Sequence, residues 1–416
     1  MVASTDIKFY VHTNNNAPQL TNSFGCMINV LDACLINGVF IGAISSLTIS
    51  GKVATATFNG PHNLLTFQVI KITGANQSEL NGEHRITAVV SSDTIMFELS
   101  QDSSVTTATG LISASLPPLG WEKPFSSVNV NGGGKAAYRS TDQTLLNKPF
   151  LRIVDELDPV YSSTYSKYAK VGIVENLSDI DTFTGAQAPY SAASPDKNWV
   201  GSGSGSSAIN GWAKWYYSRS VVMSSSSSLD SAVRTVDGPA KYVVIGSGVF
   251  FYILNAHHHN DENKLVYGFG ALDSENRNAF LSASIFDNTL VGANIRPAYQ
   301  TPLTSTISSL SLVEMIKSFN HESIRVGGCS TLALPVSASS ATVRSGSSDV
   351  FTNIVASPVY CVDSNNYFRG KFPSINYLYK NRPYQNLVPF YENGKMYLPV
   401  NIYTETTNGQ VLMEVG

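Results

Sequence analysis

Residues 121–156, WEKPFSSVNVNGGGKAAYRSTDQTLLNKPFLRIVDE, decide how this chain is parsed. The stretch follows the pair Pro117-Pro118, carries the aromatic residues Trp121 and Phe125, and passes through three consecutive glycines, Gly132–Gly134. It ends in the apolar run Phe150–Val154, which has the β-branched and aromatic character of a strand. Short segments separated by turns precede it, and a longer strand-rich body follows. We read it as the return from a small inserted module into the main sheet. Trp121 and Phe125 are then structural anchors of the crossing, and Phe150–Val154 opens the body.

Working outward toward the amino terminus, residues 45–115 hold the segments SSLTIS, VATATFN, FQVIKIT, HRITAVV, TIMFEL and TGLISAS, joined by Gly-Lys, Asn-Gly-Glu and Ser-Ser-Asp turns. Short strands at such spacing predict a small barrel or sandwich. Before them, Asp6–His12 alternates as a strand. Phe24, Met27, Ile28, Leu31 and Leu35 recur at helical spacing, after cap candidates Thr21, Asn22 and Ser23 and before Asn37-Gly38. The strand and helix of residues 1–44 are expected to belong to the main body.

Toward the carboxyl terminus, residues 116–320 form the expected main β body. Its strand-like runs include Ala169–Glu175, Trp212–Ser218, Tyr242–Leu254, Lys264–Gly270 and Ala279–Phe286, and its loops include GSGSGSS and SSSSS. Ser309–Phe319 carries a weak helical stripe and reads equally as an irregular excursion. Residues 321–416 form a further β region, packed on the body and containing a Tyr/Pro-rich arm from Phe368 to Phe390 that reads as ordered but nonregular. The fold class is thus mainly β: a β-sandwich-like body, an inserted small β-barrel or sandwich, and one short amino-terminal helix.

Composition agrees. Charged residues are 14% of the 416 and aromatic residues 10%, a balance that favours strands and polar turns over solvent-facing helices. The formal net charge of -3, without a basic stripe, gives no general grip on nucleic acid. Cys26, Cys34, Cys329 and Cys361 have neither CxxC spacing nor His partners, so free buried thiols in a reducing compartment are expected. No apolar window approaches the ~18 residues that span a bilayer, and a soluble chain made in the cytoplasm follows.

The sequence offers few chemical constellations. His257 and His259 are weak metal candidates, since alternate strand residues share a face. Asp155, Glu156 and Asp158, with Asp179 and Asp181, contain the only carboxylate grouping that suggests glycan hydrolysis, and turn or cap chemistry is the simpler account. Gly132–Lys135 lacks the earlier glycine and the following Ser or Thr of a phosphate loop. No catalytic residue, cofactor or firm metal site is assigned. Trp199, Trp212, Trp215, Tyr216 and Tyr217, beside flexible loops, and Tyr377, Tyr379 and Tyr384 in the arm, are the candidate interaction surface.

Several motifs occur in a fixed order: MINVLDACLINGV (27–39), SLTISGKVATATF, ELNGEHRITAV, GWEKPFSS (120–127), AAYRS (136–140), FLRIVDE (150–156), VGIVENLSDIDT (171–182), RGKFPSINYLY and NGKMYLPVNIY. In this order they resemble uncharacterised virion structural proteins of tailed bacteriophages. The resemblance implies a virion component without catalytic residues, whose partners are other virion proteins and copies of itself. The neck, collar or tail (baseplate) assembly is the expected location. The alternatives are a capsid-decorating protein or one that binds a host receptor or surface glycan, and the absence of a fixed repeat argues against a fibre shaft.

Overall fold

The computed structural model describes residues 3–163, 167–204, 209–218, 238–256, 261–285, 301–303, 313–316, 323–325, 356–362, 367–378, 382–403 and 408–416. The chain is mainly β, with a closed barrel set into a body of two packed sheets.

The first strand, β1 (Lys8–Val11), leads to helix α1 (Cys26–Leu31) and a π-helical segment over Asp32–Asn37. The helical stripe predicted this region, but not its cap. Gly25 is the N-cap residue and has no side-chain cap bond, and Thr21 Oγ1 meets only the Cys26 side chain, Sγ at 3.0 Å, leaving the backbone N–H groups of the first turn to another partner. The cap comes from Asp155, whose Oδ2 accepts the backbone N–H groups of Met27 (3.1 Å) and Ile28 (3.3 Å). Gly38, at φ +77°, ends the segment.

Six strands then close a barrel in the order β2-β3-β6-β5-β4-β7: β2 (Val39–Ser50), β3 (Val53–Phe58), β4 (Val69–Ala75), β5 (Gly82–Val89), β6 (Thr94–Glu98) and β7 (Gly110–Leu116). The turn at Gly51-Lys52 sets Ser50 opposite Val53, as a tight hairpin requires. Closure removes the exposed edges that six short strands would otherwise present. The barrel begins at Val39, several residues before the polar Ser45–Ser46 pair, because β2 continues from the helix end without a break.

The barrel is bonded to the body by buried polar contacts. Asn14 and Gln68 exchange amide hydrogen bonds at 3.0 and 2.9 Å. The Arg85 guanidinium donates to the carbonyls of Ser4, Phe67 and Ile7.

The 121–156 stretch supplies three neighbouring strands, β8 (Trp121–Val128), β9 (Gly133–Ser140) and β10 (Phe150–Glu156). With β11 (Lys167–Leu177), β12 (Phe183–Ala188), Ala213–Ser218 and Ser284–Ile285 they make a seven-stranded sheet. Gly133 and Gly134 serve close packing here. A Cβ on Gly133 would stand 2.0 Å from the Asp155 carbonyl oxygen, and one on Gly134 2.1 Å from that of Ser127.

The larger, twelve-stranded sheet contains β1, Tyr242–Gly246, Phe250–Ala256, Lys264–Ala271, Lys395–Tyr403, Asn408–Glu414, Phe368–Leu378 and Ala356–Val362 along its main path. Residues 321–416 thus add strands to the same sheet as β1. Three readings of the sequence are corrected here. The apolar run Tyr242–Leu254 is a hairpin turning at Ser247–Val249, with both strands buried on both faces, so its sides do not alternate in polarity. Phe368–Leu378 is a strand. Its Pro373 falls where the register with Ala356–Val362 slips, so no ladder bond is lost. Within Ser309–Phe319, Glu314–Ile316 is a strand, not helix.

One core lies between the sheets and continues into the barrel, gathering Tyr138, Leu151, Ile153, Val171, Trp215, Phe251 and Phe269. A second covers the far face of the larger sheet, with Val243, Leu254, Val266, Phe372 and Val400. Trp121 is buried in the first core. Its Nε1 donates to the Ser247 carbonyl at 2.8 Å, and its ring meets Phe251 edge-on at 5.3 Å. Phe125 is half-buried and touches Phe150 at 5.9 Å between centroids.

Candidate functional site

Strand alternation gives β10 and β11 two different faces. Leu151, Ile153 and Asp155 point into the core, and Arg152 and Val154 lie on the outer face with Lys170 and Gly172, their neighbours across the ladder. The segment after β11 folds back over this outer face and brings Asp181, Phe183 and Trp199 onto it. Gly172 makes room for the indole, since a Cβ there would lie 2.5 Å from Trp199 Cη2. A half-open cleft of about 280 Å³ results, lined by Lys135, Arg152, Glu156, Asp158, Lys170 and Trp199 among others.

Charge pairs occupy the cleft. Arg152, buried, stacks its guanidinium over Trp199 at 4.5 Å and over Phe183 at 5.3 Å. It donates to the Ile180 carbonyl (2.8 Å) and to Asp181 Oδ1 (2.6 Å). Lys135 Nζ reaches the same carboxylate at 2.7 Å. Deeper, Lys170 Nζ donates to Asp158 Oδ2 (2.9 Å) and to the Trp199 carbonyl (2.6 Å). Asp158 also accepts the N–H groups of Gly201 (2.8 Å) and Val160 (3.1 Å). Burial alone would raise the Asp158 carboxyl, but the Lys170 charge and these donors outweigh it and hold it below the usual range.

The other carboxylate singled out in the sequence, Asp155, is fully buried away from the cleft. Besides capping α1, it accepts the Tyr217 hydroxyl at 2.8 Å. Burial pushes its carboxyl up to about 6, against the opposing hydrogen bonds from Tyr217 and the helix start. A raised carboxyl suits a general acid only where substrate can reach it, and this one is walled in. Glu156 lines the cleft and accepts from Asn129 Nδ2 at 3.0 Å.

The aromatic surface read from the sequence is corrected. Trp199, Trp212, Trp215, Tyr216, Tyr217 and Tyr377 are all buried, because Ala213–Ser218 lies between two packed layers and Trp199 is clamped between Gly172 and Arg152. Tyr384 is half-buried and stacks on Phe390 at 4.3 Å. Tyr379, His257, His259 and Cys329 lie outside the described residues, and Cys26, Cys34 and Cys361 are buried. Among the described residues, no group of three or more His, Cys, Asp or Glu side chains gathers as a metal site. No helix among them is long and apolar enough to cross a membrane.

Sequence reading missed Arg152 and Lys170. Each is a cation inside an otherwise apolar strand, FLRIVDE and YAKVGIV, and such a placement signals a buried partner.

No family model matches the chain, and no curated protein matches it. Among solved structures the chain is similar to one titled Phage phi92 endosialidase, with 11% identity over 91% of this chain and 52% of that one. The chain spans about half of that protein's length, and at a TM-score of 0.15 the likeness carries no argument about fold or function.

Proposed function

We propose that the chain is a non-enzymatic structural component of a tailed-phage virion, working in the neck, collar or tail assembly through contacts with other virion proteins and with copies of itself. The observation that carries this reading is where the resembling motifs fall. GWEKPFSS, AAYRS, FLRIVDE and VGIVENLSDIDT coincide with β8, β9, β10 and β11, four adjacent strands of one sheet. RGKFPSINYLY and NGKMYLPVNIY coincide with two strands of the larger sheet. The shared features are therefore framework. The cleft is consistent with this reading, because the chain's own carboxylates form ion pairs with Lys135, Arg152 and Lys170, and Arg152 Nη1 alone of the guanidinium nitrogens is buried without a partner.

Mass spectrometry of purified particles, followed by location of the chain in images of the intact virion, tests the proposal. Symmetric copies at the neck or tail are expected, and absence from purified particles rules the role out. A second reading, binding of a host-surface glycan, draws on the half-open cleft with Phe183 and Trp199 in its wall. A glycan array probed with the full chain decides it, and no signal ends it.

A further inference from the structure

Sheet edges are the places where a β protein can add a strand, and most edges among the described residues are closed. The Phe9 carbonyl of β1 accepts Gln68 Nε2 from the barrel segment at 3.0 Å, and Asn14 Oδ1 accepts the Val11 N–H at 2.8 Å. β12 lies against Glu314–Ile316 and Ser323–Arg325 of the larger sheet. Ala356–Val362 carries Pro358, and Phe390–Glu392 is only three residues long.

β8 is different. Among the described residues it ends the smaller sheet and pairs with β9 alone. Its first half is guarded by the devices that keep natural edges from pairing: the charges of Glu122 and Lys123, then Pro124 within a bulge between Glu122 and Phe125. Its second half has none of them. From Phe125 to Asn131 the sequence FSSVNVN contains no charge and no proline. Ser126 is exposed, and Val128 and Val130 are 90% and 97% exposed. Among the described residues, the only backbone bonds of Phe125–Asn131 are those to β9 and within the hairpin turn.

We infer that Phe125–Asn129 of β8 is a pairing edge, and that its occupant is the same strand of a second copy of this chain, antiparallel across a two-fold axis. Three features select that occupant. An uncharged strand meets its own copy without like-charge repulsion and offers a charged strand no counter-charge. Antiparallel pairing of identical strands is self-complementary and closes at two copies. Pro124 on one side and the turn at Val130–Asn131 on the other limit the pairing to five residues centred on Ser127. In that register Ser126 faces Val128 of the second copy, and Val130 lies beside the second copy's Pro124, so all four exposed valines of the two chains are covered. The two seven-stranded sheets then run on as one. This pairing supplies a surface for the contacts between copies named in the proposed function, and it rests on the β8 edge.

Sedimentation velocity of the full chain across a concentration range tests it, with Val128→Lys and Ser126→Lys as exposed-site variants whose circular dichroism should match the wild type and so show an intact fold. We expect a concentration-dependent dimer of twice the chain mass, reduced to monomer by either lysine. Ser127→Cys should give a disulfide-linked dimer on mild oxidation, because residues opposite one another on antiparallel strands have Cα atoms about 4.5–5.5 Å apart. A wild type that is monomeric throughout overturns the inference. So does a dimer untouched by Val128→Lys, or one sensitive to it in which Ser127→Cys does not cross-link. A virion component that stays monomeric sinks only this inference, and a β8 dimer absent from particles sinks only the proposed function.

Discussion

Asp155 joins three parts of the chain: its backbone belongs to β10, its carboxylate caps α1, and it accepts from Tyr217. Its carboxyl moves from an ordinary 3.8 to about 6, chiefly through burial. Between those values the folded chain holds a proton that the unfolded chain has released. Asp155 therefore makes stability fall as pH rises through this window, and its cost is complete above about pH 6. The swing is about 3 kcal/mol, since each tenfold change in a protonation equilibrium is worth about 1.4 kcal/mol. Asp158 and Asp142 are held low and weaken the fold only at more acidic pH. His12, His62 and His84, held low by burial, act in the opposite direction over the same range, so the Asp155 effect is read as a difference: in urea unfolding at pH 4, 5 and 6 the wild type should lose stability relative to Asp155→Asn as pH rises.

Lys170 offers a second measurement at this scale. Lys170→Met leaves Asp158 buried without its cation, and a loss of about 3–5 kcal/mol is expected. Adding Asp158→Leu to it should recover part of that loss. Trp121→Ala should cost about 3–5 kcal/mol by denaturant unfolding, because the ring is buried and its N–H is bonded.

Between residue and fold, the hairpin joining β8 to β9 separates two accounts of a glycine run. In the sequence Gly132–Gly134 looks like a flexible turn. In the structure the neighbours differ in what surrounds them: a Cβ on Gly132 meets nothing within 4 Å, whereas one on Gly133 collides with the Asp155 carbonyl oxygen. Both have positive φ, so both substitutions carry some backbone strain. Gly133→Ala should nonetheless lower the melting temperature well below that of Gly132→Ala. Equal effects would show that backbone conformation, not packing against β10, sets the requirement.

Across the molecule, the barrel acts as the cover of an edge. Gln68 and Arg85 reach from it to the carbonyl of Phe9 in β1 and to those of Ser4 and Ile7 in the segment leading into it. Its own ends come close together, since a Cβ on Gly38 would stand 2.6 Å from the Leu116 carbonyl oxygen. A chain in which a short linker replaces residues 39–116 should still form the two sheets but associate irregularly through β1. Size-exclusion chromatography should then show a broad distribution of large species, and a well-behaved monomer would show that the barrel has no such role.

Composition, strand alternation and turn residues predict a mainly β chain, a small early barrel or sandwich, and one short helix, and the structure decides for the closed barrel. The predictive signals are local, carried by neighbours a few positions apart. What needed the tertiary structure involves partners far apart in sequence. The cap of α1 stands 128 residues from Met27. Arg152 and Trp199 meet only because the segment after β11 folds back. The tryptophans and tyrosines near residue 215 are core and not surface, because polarity alternates along a strand only where one of its faces meets water.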